Sequence, residues 1–225
     1  MPIEYHQHAR QLQDKYNTRK MADRIAEFAP PMIIPENKAM IEAMDMFFLA
    51  TADAQGRPQV SYKGGDPGFV KVVDETTLAF PIYDGNGLFL SAGNVLANPN
   101  VGLLFIDFMN PHRVRVNGTA SIQDNDPLMS RYPGAVMIVR IAVREIFGNC
   151  PRYVHKMQLV KHSKFVPKPN LETPQPVWKY LNAIQDVLPE KDAKKVASNV
   201  QQGKAKIGEL DMTKTIREQI AELDT

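Results

Sequence analysis

Between Tyr5 and Phe28 the apolar positions Leu12, Tyr16, Met21, Ala22, Ile25 and Phe28 recur mostly three or four residues apart, the spacing that lays one apolar stripe along a helix. The interruption at Asn17-Thr18 predicts two short amphipathic helices, with Thr18 capping the second. Pro30-Pro31 ends the pair. Pro35 then opens a third helix through Met44, because proline is tolerated in a first turn and not in an interior.

At Met46 the period shortens. Phe47 to Ala52, Gln59 to Lys63, Phe69 to Val73 and Thr77 to Ile82 are short runs rich in β-branched and aromatic residues, parted by the turn compositions Asp53-Ala54-Gln55-Gly56 and Gly64-Gly65-Asp66-Pro67-Gly68. Four such strands in succession predict an antiparallel meander. A helix from about Leu88 to Leu96 follows, stopped by Asn98-Pro99-Asn100. Strands resume at Val101 to Phe108, at Arg113 to Ile122, and within Ala135 to Phe147. The fold class is therefore mainly β with flanking helices, and six or seven strands around one helix predict an antiparallel barrel, since closure removes exposed edges.

Beyond Phe147 the pattern reads as helical and basic. No acidic residue occurs from Ile146 to Leu171, while Arg152, Lys156, Lys161, Lys164 and Lys168 do. This run reads as a solvated face or a clamp on the fold rather than a nucleic-acid surface, because no aromatic platform interleaves it. Pro167, Pro169, Pro174 and Pro176 mark a linker, and helical patterns at Val177 to Leu188, Asp192 to Val200 and Met212 to Leu223 form a polar tail. The expected organisation is a helical segment over 1–45, a barrel domain over 46–165 and a helical tail over 166–225.

Composition narrows the function classes. The 225 residues carry 27 Lys plus Arg against 25 Asp plus Glu, a net charge of +2 that names no polyanionic partner. The single cysteine, Cys150, permits no internal disulfide and fits a reducing compartment, so a cytoplasmic location is expected. No apolar run approaches the roughly 20 residues of a membrane span, so no membrane partner is expected. Cys150 reads as a buried or semi-buried thiol. His6, His8 and His155 lack the convergent spacing of a metal site, so none is assigned.

The chemistry concentrates in Phe80-Pro81-Ile82-Tyr83-Asp84-Gly85-Asn86-Gly87, which runs from a strand into Leu88-Phe89-Leu90-Ser91-Ala92-Gly93-Asn94. Glycines at a strand-to-helix junction leave backbone N–H groups free at a positive helix end, a geometry that holds phosphate. On spacing alone, an ordinary loop capped by Asn86 accounts for the run better than a phosphate site does.

The ordered set Met46-Phe47-Phe48-Leu49-Ala50-Thr51-Ala52-Asp53, Gly56-Arg57-Pro58-Gln59-Val60-Ser61, Asp84-Gly85-Asn86-Gly87, Ser91-Ala92-Gly93-Asn94, Asn98-Pro99-Asn100-Val101-Gly102 and Val114-Arg115-Val116-Asn117-Gly118 resembles the pyridoxamine 5'-phosphate oxidase-like family of FMN-binding split barrels. Phe147-Gly148-Asn149-Cys150-Pro151-Arg152 is similar to the close of that domain. The resemblance covers roughly Ile41 to Lys161. It implies an FMN-dependent oxidoreductase, a homodimer with flavin sites at the subunit interface, and a small-molecule electron donor or acceptor. The alternative is a non-catalytic holder of flavin, haem or another flat ligand. Carried over by position, the cofactor-binding residues are Val60, Ser61, Tyr62, Lys63, Phe80, Pro81, Asn86, Ser91 and Asn94, with Arg113 reaching in from the partner and Lys63 near the ring. No catalytic residue is assigned. Two departures separate the chain from authentic oxidases. Uncharged residues around Leu90 and Ser91 stand where those enzymes carry a basic pair, and no Trp-and-Arg-containing substrate segment closes the chain, Trp178 lying in the tail instead.

Overall fold

A computed structural model describes residues 3–29, 32–123, 125–209, 213–215 and 218. Pro30-Pro31 and most of the Met212 to Leu223 pattern lie outside them. Two compact units divide the chain, residues 1–162 and 163–225.

The first unit opens with α1 (Gln7–Lys15), α2 (Arg19–Glu27) and α3 (Pro35–Ala43). Asn17, at φ 54°, makes the turn between α1 and α2, a conformation asparagine tolerates better than most residues. Thr18 occupies the N-cap of α2, but its hydroxyl donates back to the carbonyl of Gln13 instead of capping. Two ion pairs tie the hairpin together, Arg10 to Asp23 at 2.6 Å and Arg19 to Asp14 at 2.5 Å.

Seven strands follow: β1 (Met46–Ala52), β2 (Pro58–Gly64), β3 (Lys71–Asp74), β4 (Thr77–Tyr83), β5 (Asn100–Asp107), β6 (His112–Gln123) and β7 (Ala135–Asn149), with α4 (Leu90–Ala97) between β4 and β5. All pairings are antiparallel, in the order β2-β1-β5-β6-β7-β4-β3. This is a split barrel, and two expectations change. The first four strands are no meander, because β2 and β3 stand at opposite ends of the order. Nor does the ladder close between those ends. The glycine-rich connector explains both corrections. Gly65 donates its N–H to the carbonyl of Asp45, and Phe69 and Val70 sink into the core at 4% and 0% exposure instead of joining a ladder, so no tight hairpin forms there.

The core lies inside the curved sheet. Phe47 centres it, with its ring 5.0 Å from Phe80, 5.2 Å from Phe105 and 5.8 Å from Phe69, spacings at which aromatic pairs add to simple burial. At Gly118 a register shift in the β6–β7 ladder brings the chains so close that a Cβ would lie 2.2 Å from the Ala142 carbonyl oxygen. The opposite face of the sheet carries continuous cross-strand rows. Tyr62, Phe48, Leu104, Arg115 and Phe147 form one, and Val60, Ala50, Gly102, Asn117 and Glu145 the next. Val60 and Tyr62 are 66% and 62% exposed.

After β7 the helical expectation fails: residues 150–162 contain no helix. Pro151 blocks continuation, and Tyr153, Met157 and Val160 project into solvent. Cys150, expected to be at least half-buried, is exposed, because it stands immediately past the last ladder residue, Asn149.

In the second unit the Val177 to Leu188 pattern resolves into two 3₁₀ turns, Val177–Tyr180 and Asn182–Val187, before α5 (Glu190–Gln201). Lys179 and Asp192, both buried, pair at 2.9 Å, and Gln175 donates to the same carboxylate. Asn199 donates to the Tyr180 hydroxyl. No helix among the described residues is long and apolar enough to cross a membrane.

Candidate functional site

A cavity of about 310 Å³ opens between the inner side of β2, the end of β4 and the first turn of α4. Strand alternation fixes which β2 side chains reach it. Gln59, Ser61 and Lys63 face inward with their neighbours Thr51, Leu49 and Phe47, so Val60 and Tyr62 face away. From β4 come Ile82 and Tyr83, and the connector adds Gly85, Asn86, Gly87, Leu88 and Phe89 before Leu90, Ser91 and Ala92 of α4.

The start of α4 is unusual in one useful respect. Its N-cap, Phe89, sits in the left-handed region at φ 47° and provides no side-chain cap. The first helical bond runs from the Gly93 N–H to the Phe89 carbonyl. The N–H groups of Leu90, Ser91 and Ala92 therefore precede the helical ladder and have no partner within the helix. No acidic residue occupies that first turn. Asn86 instead accepts from the Leu88 N–H at 3.1 Å, organising the loop rather than capping the helix.

Side chains complete a cradle of donors. The Ser61 and Ser91 hydroxyls lie 3.0 Å apart, and the Lys63 ammonium donates to the Ser91 hydroxyl at 3.4 Å. Lys63 is half-buried, and burial lowers its pKa from 10.5. No carboxylate lies within ion-pair distance of it among the described residues, and the lining contains neither Asp nor Glu. Asn94 sits behind this wall, donating to the Thr51 hydroxyl at 3.0 Å and to the Gln59 side-chain oxygen at 3.4 Å. With its oxygen so engaged, Gln59 has its amide N–H groups to offer elsewhere. A lone half-buried cation, hydroxyls and free backbone N–H groups at a positive helix end suit a phosphate-sized anion, so the residues fit a phosphorylated ligand.

The ten residues assigned from sequence are not all gathered here. Ser61, Lys63, Asn86 and Ser91 line the cavity, and Asn94 supports it. Lys63 reaches the helix start rather than standing alone at a strand end. Phe80 is fully buried in the aromatic core, and Pro81 is buried beside it. Val60 and Tyr62 lie on the opposite face, as does Arg113, which pairs across to Ile106 and Asn149. Sequence reasoning passed over Gln59 and Tyr83. The parity of Gln59 with Ser61 and Lys63 was available to find the first, whereas Tyr83 sits at a register shift between β4 and β7 that no sequence pattern marks.

A family model described as pyridoxamine 5'-phosphate oxidase matches residues 33–152, more than half the chain. Among solved structures, HupZ from Group A Streptococcus is similar at 25% identity, with 52% of this chain and 100% of that chain covered and a TM-score of 0.44. HutZ, the heme storage protein of Vibrio cholerae, is similar at 22% identity, with 51% of this chain and 93% of that chain covered and a TM-score of 0.39. A FAD-binding protein of Mesorhizobium loti is 17% identical over 52% of this chain and 94% of that one, with a TM-score of 0.37. A comparison with curated proteins finds no match.

Proposed function

Because the chain belongs to the pyridoxamine 5'-phosphate oxidase family, we propose that its cavity holds the phosphate end of flavin mononucleotide and that the protein is an FMN-dependent oxidoreductase. The observation that carries this reading is the cradle itself: Lys63, with no carboxylate beside it, aimed at Ser91 where the first N–H groups of α4 are free. Lys63 thereby replaces the basic pair that the Leu90-Ser91 segment lacks. At about 310 Å³ the cavity is near the lower end of small-molecule sites, roughly 300–1,000 Å³, enough for the phosphate and part of the chain attached to it. When bound, FMN supplies two-electron transfer between a small donor and an acceptor. The protein's own part is to anchor the anion through Lys63, Ser61 and Ser91, offer the Gln59 amide as a donor, and keep water from one side of the ligand with Ile82 and Tyr83.

The working unit in this reading is a homodimer. The outward rows of β2, β1 and β5 present Val60, Tyr62, Phe48 and Leu104, a contiguous apolar face of the sort that marks an interface. A second copy on that face would run beside the same β2 strand whose other face lines the cavity.

The lining contains no carboxylate, imidazole or thiol, which supports a second reading in which the ligand is held without turnover. Titration of the purified protein with FMN, followed by flavin absorbance and fluorescence, tests the first claim: saturable one-to-one binding is expected, and no spectral change would reject it. Stopped-flow reduction of the loaded protein by NADPH or NADH then separates enzyme from holder.

A further inference from the structure

Tyr83 reaches the cavity from an irregular place. At the end of β4 the register to β7 shifts between Ile82, opposite Met137, and Tyr83, opposite Ala135, so that β7 carries one extra residue, Val136. Bulges of this kind re-aim the side chain beside them. The pairing with Ala135 places the Tyr83 backbone, and the depth of its ring depends on what packs behind it.

What stands behind Tyr83 is a small cluster separate from the main core. Ala79, Tyr132 and Ile138 form it, with Tyr83, Leu128, Met129 and Ala135 packed against it. Tyr132 is 8% exposed, and its buried hydroxyl has no hydrogen-bond partner among the described residues. Such a hydroxyl costs stability where a phenylalanine ring would not. Burial, with the Tyr83 hydroxyl as a further contributor, pushes the Tyr132 phenol up to about 12. The segment carrying Tyr132 is pinned by a second device. Asp126 accepts from the Arg140 Nε at 2.5 Å and Nη2 at 3.0 Å, and from the Leu128 N–H at 2.9 Å, anchoring the 3₁₀ turn Pro127–Arg131 to the middle of β7.

We infer that Tyr132, which does not line the cavity, is a positioning residue for the ligand wall: its ring sets the depth of Tyr83 beside the site, and the Asp126–Arg140 pair locks the turn that delivers it. Ligand preference at this wall is then controlled from a layer that the ligand never touches. The inference rests on the flavin reading only for what occupies the site, and not for the coupling between the two tyrosines.

The test uses Tyr132→Ala, Tyr132→Phe, Tyr83→Ala and the double alanine variant of the full chain, with two readouts. The first needs no ligand. Carbon-13 labelled tyrosine reports the titration of Tyr83, which burial raises above 10.0. Tyr132→Ala is expected to return Tyr83 toward the ordinary value, and Tyr132→Phe to leave it unchanged. The second is FMN affinity and the visible circular dichroism of bound flavin. Tyr132→Ala is expected to weaken binding at least five-fold and to give the dichroism of Tyr83→Ala, Tyr132→Phe should bind within two-fold of the parent, and the double variant should bind like Tyr83→Ala alone. An unshifted Tyr83 titration in a folded Tyr132→Ala protein overturns the inference, as do additive losses in the double variant. Should Tyr132→Ala fail to fold, Tyr132→Leu takes its place in both readouts with the same criteria. If the parent protein binds no FMN, the flavin reading fails while the titration still decides the coupling.

Discussion

Replacing Lys63 by methionine removes the one cation of the cavity while keeping a stem of similar length. In the free protein the ammonium is half-buried, has among the described residues only the Ser91 hydroxyl at 3.4 Å as a polar contact, and is disfavoured by burial. Its folded pKa lies below 10.5, so folding favours the neutral form. The associated destabilisation is present below the folded value and fades as pH rises toward 10.5. Lys63→Met should therefore melt at or above the parent temperature near pH 7, with the gap narrowing in alkali. In the loaded protein the sign reverses. A phosphate seated on the first turn of α4, beside Ser91, whose hydroxyl is 3.4 Å from the ammonium, would lie about 4 Å from that charge. At that separation the Coulomb attraction is about 4 kcal/mol at an effective dielectric constant near 20, and after desolvation a charge-assisted hydrogen bond retains about 1.5–3 kcal/mol. FMN binding should weaken by roughly ten- to a hundred-fold, while riboflavin, which lacks the phosphate, should bind the variant as it binds the parent. Fluorescence titrations with both ligands, beside thermal melts, measure all of this. Equal loss for FMN and riboflavin, or an FMN affinity that does not change, would refute the assignment of Lys63 to the phosphate.

Other consequences are open to direct measurement. Asp126→Asn should lower stability by about 2–3 kcal/mol, less than the roughly 3–5 kcal/mol of a fully buried pair because Arg140 is 26% exposed. The Arg140 guanidinium holds the Asp126 carboxyl below 3.8, so in urea titrations the gap to the parent should be full above that pH and close as pH falls through the lower folded value. Gly118→Ala, whose Cβ would meet the Ala142 carbonyl oxygen at 2.2 Å, should cost about 3 kcal/mol or prevent soluble expression, as read by denaturant midpoint. Phe48→Arg, in the outward row between Tyr62 and Leu104, should yield a folded monomer by light scattering, against the dimer proposed for the parent. A parent protein that is itself monomeric at micromolar concentration would remove that part of the proposal.

The strands were legible because alternation and turn chemistry agree over most of them. Thr77 to Ile82 and Arg113 to Ile122 fall within β4 and β6 with small changes at the ends. The order of the strands was not. Local pattern favours pairing neighbours, but Phe69 and Val70 gain more from complete burial than from a ladder, and β3 is carried to the far edge. The basic segment misled for a related reason. Tyr153, Met157 and Val160 have helical spacing, yet no surface of this unit receives them, and without packing a stripe does not make a helix. At the site, the glycines leading into a helix were readable, whereas Lys63 joined them only through the inward parity of β2. Tyr83 and Tyr132 were beyond reach, since Tyr83 sits beside a bulge in β7 and packs on a cluster that holds a residue from a later turn.

In the proposed reading a phosphate belongs at the start of α4. A crystal structure of the protein grown with FMN tests it most directly. The predicted result is phosphate density within hydrogen-bond distance of the Lys63 Nζ and of the Ser91 N–H. Flavin bound with its phosphate elsewhere, or well-ordered crystals with no flavin in the cavity at saturating concentration, would contradict it.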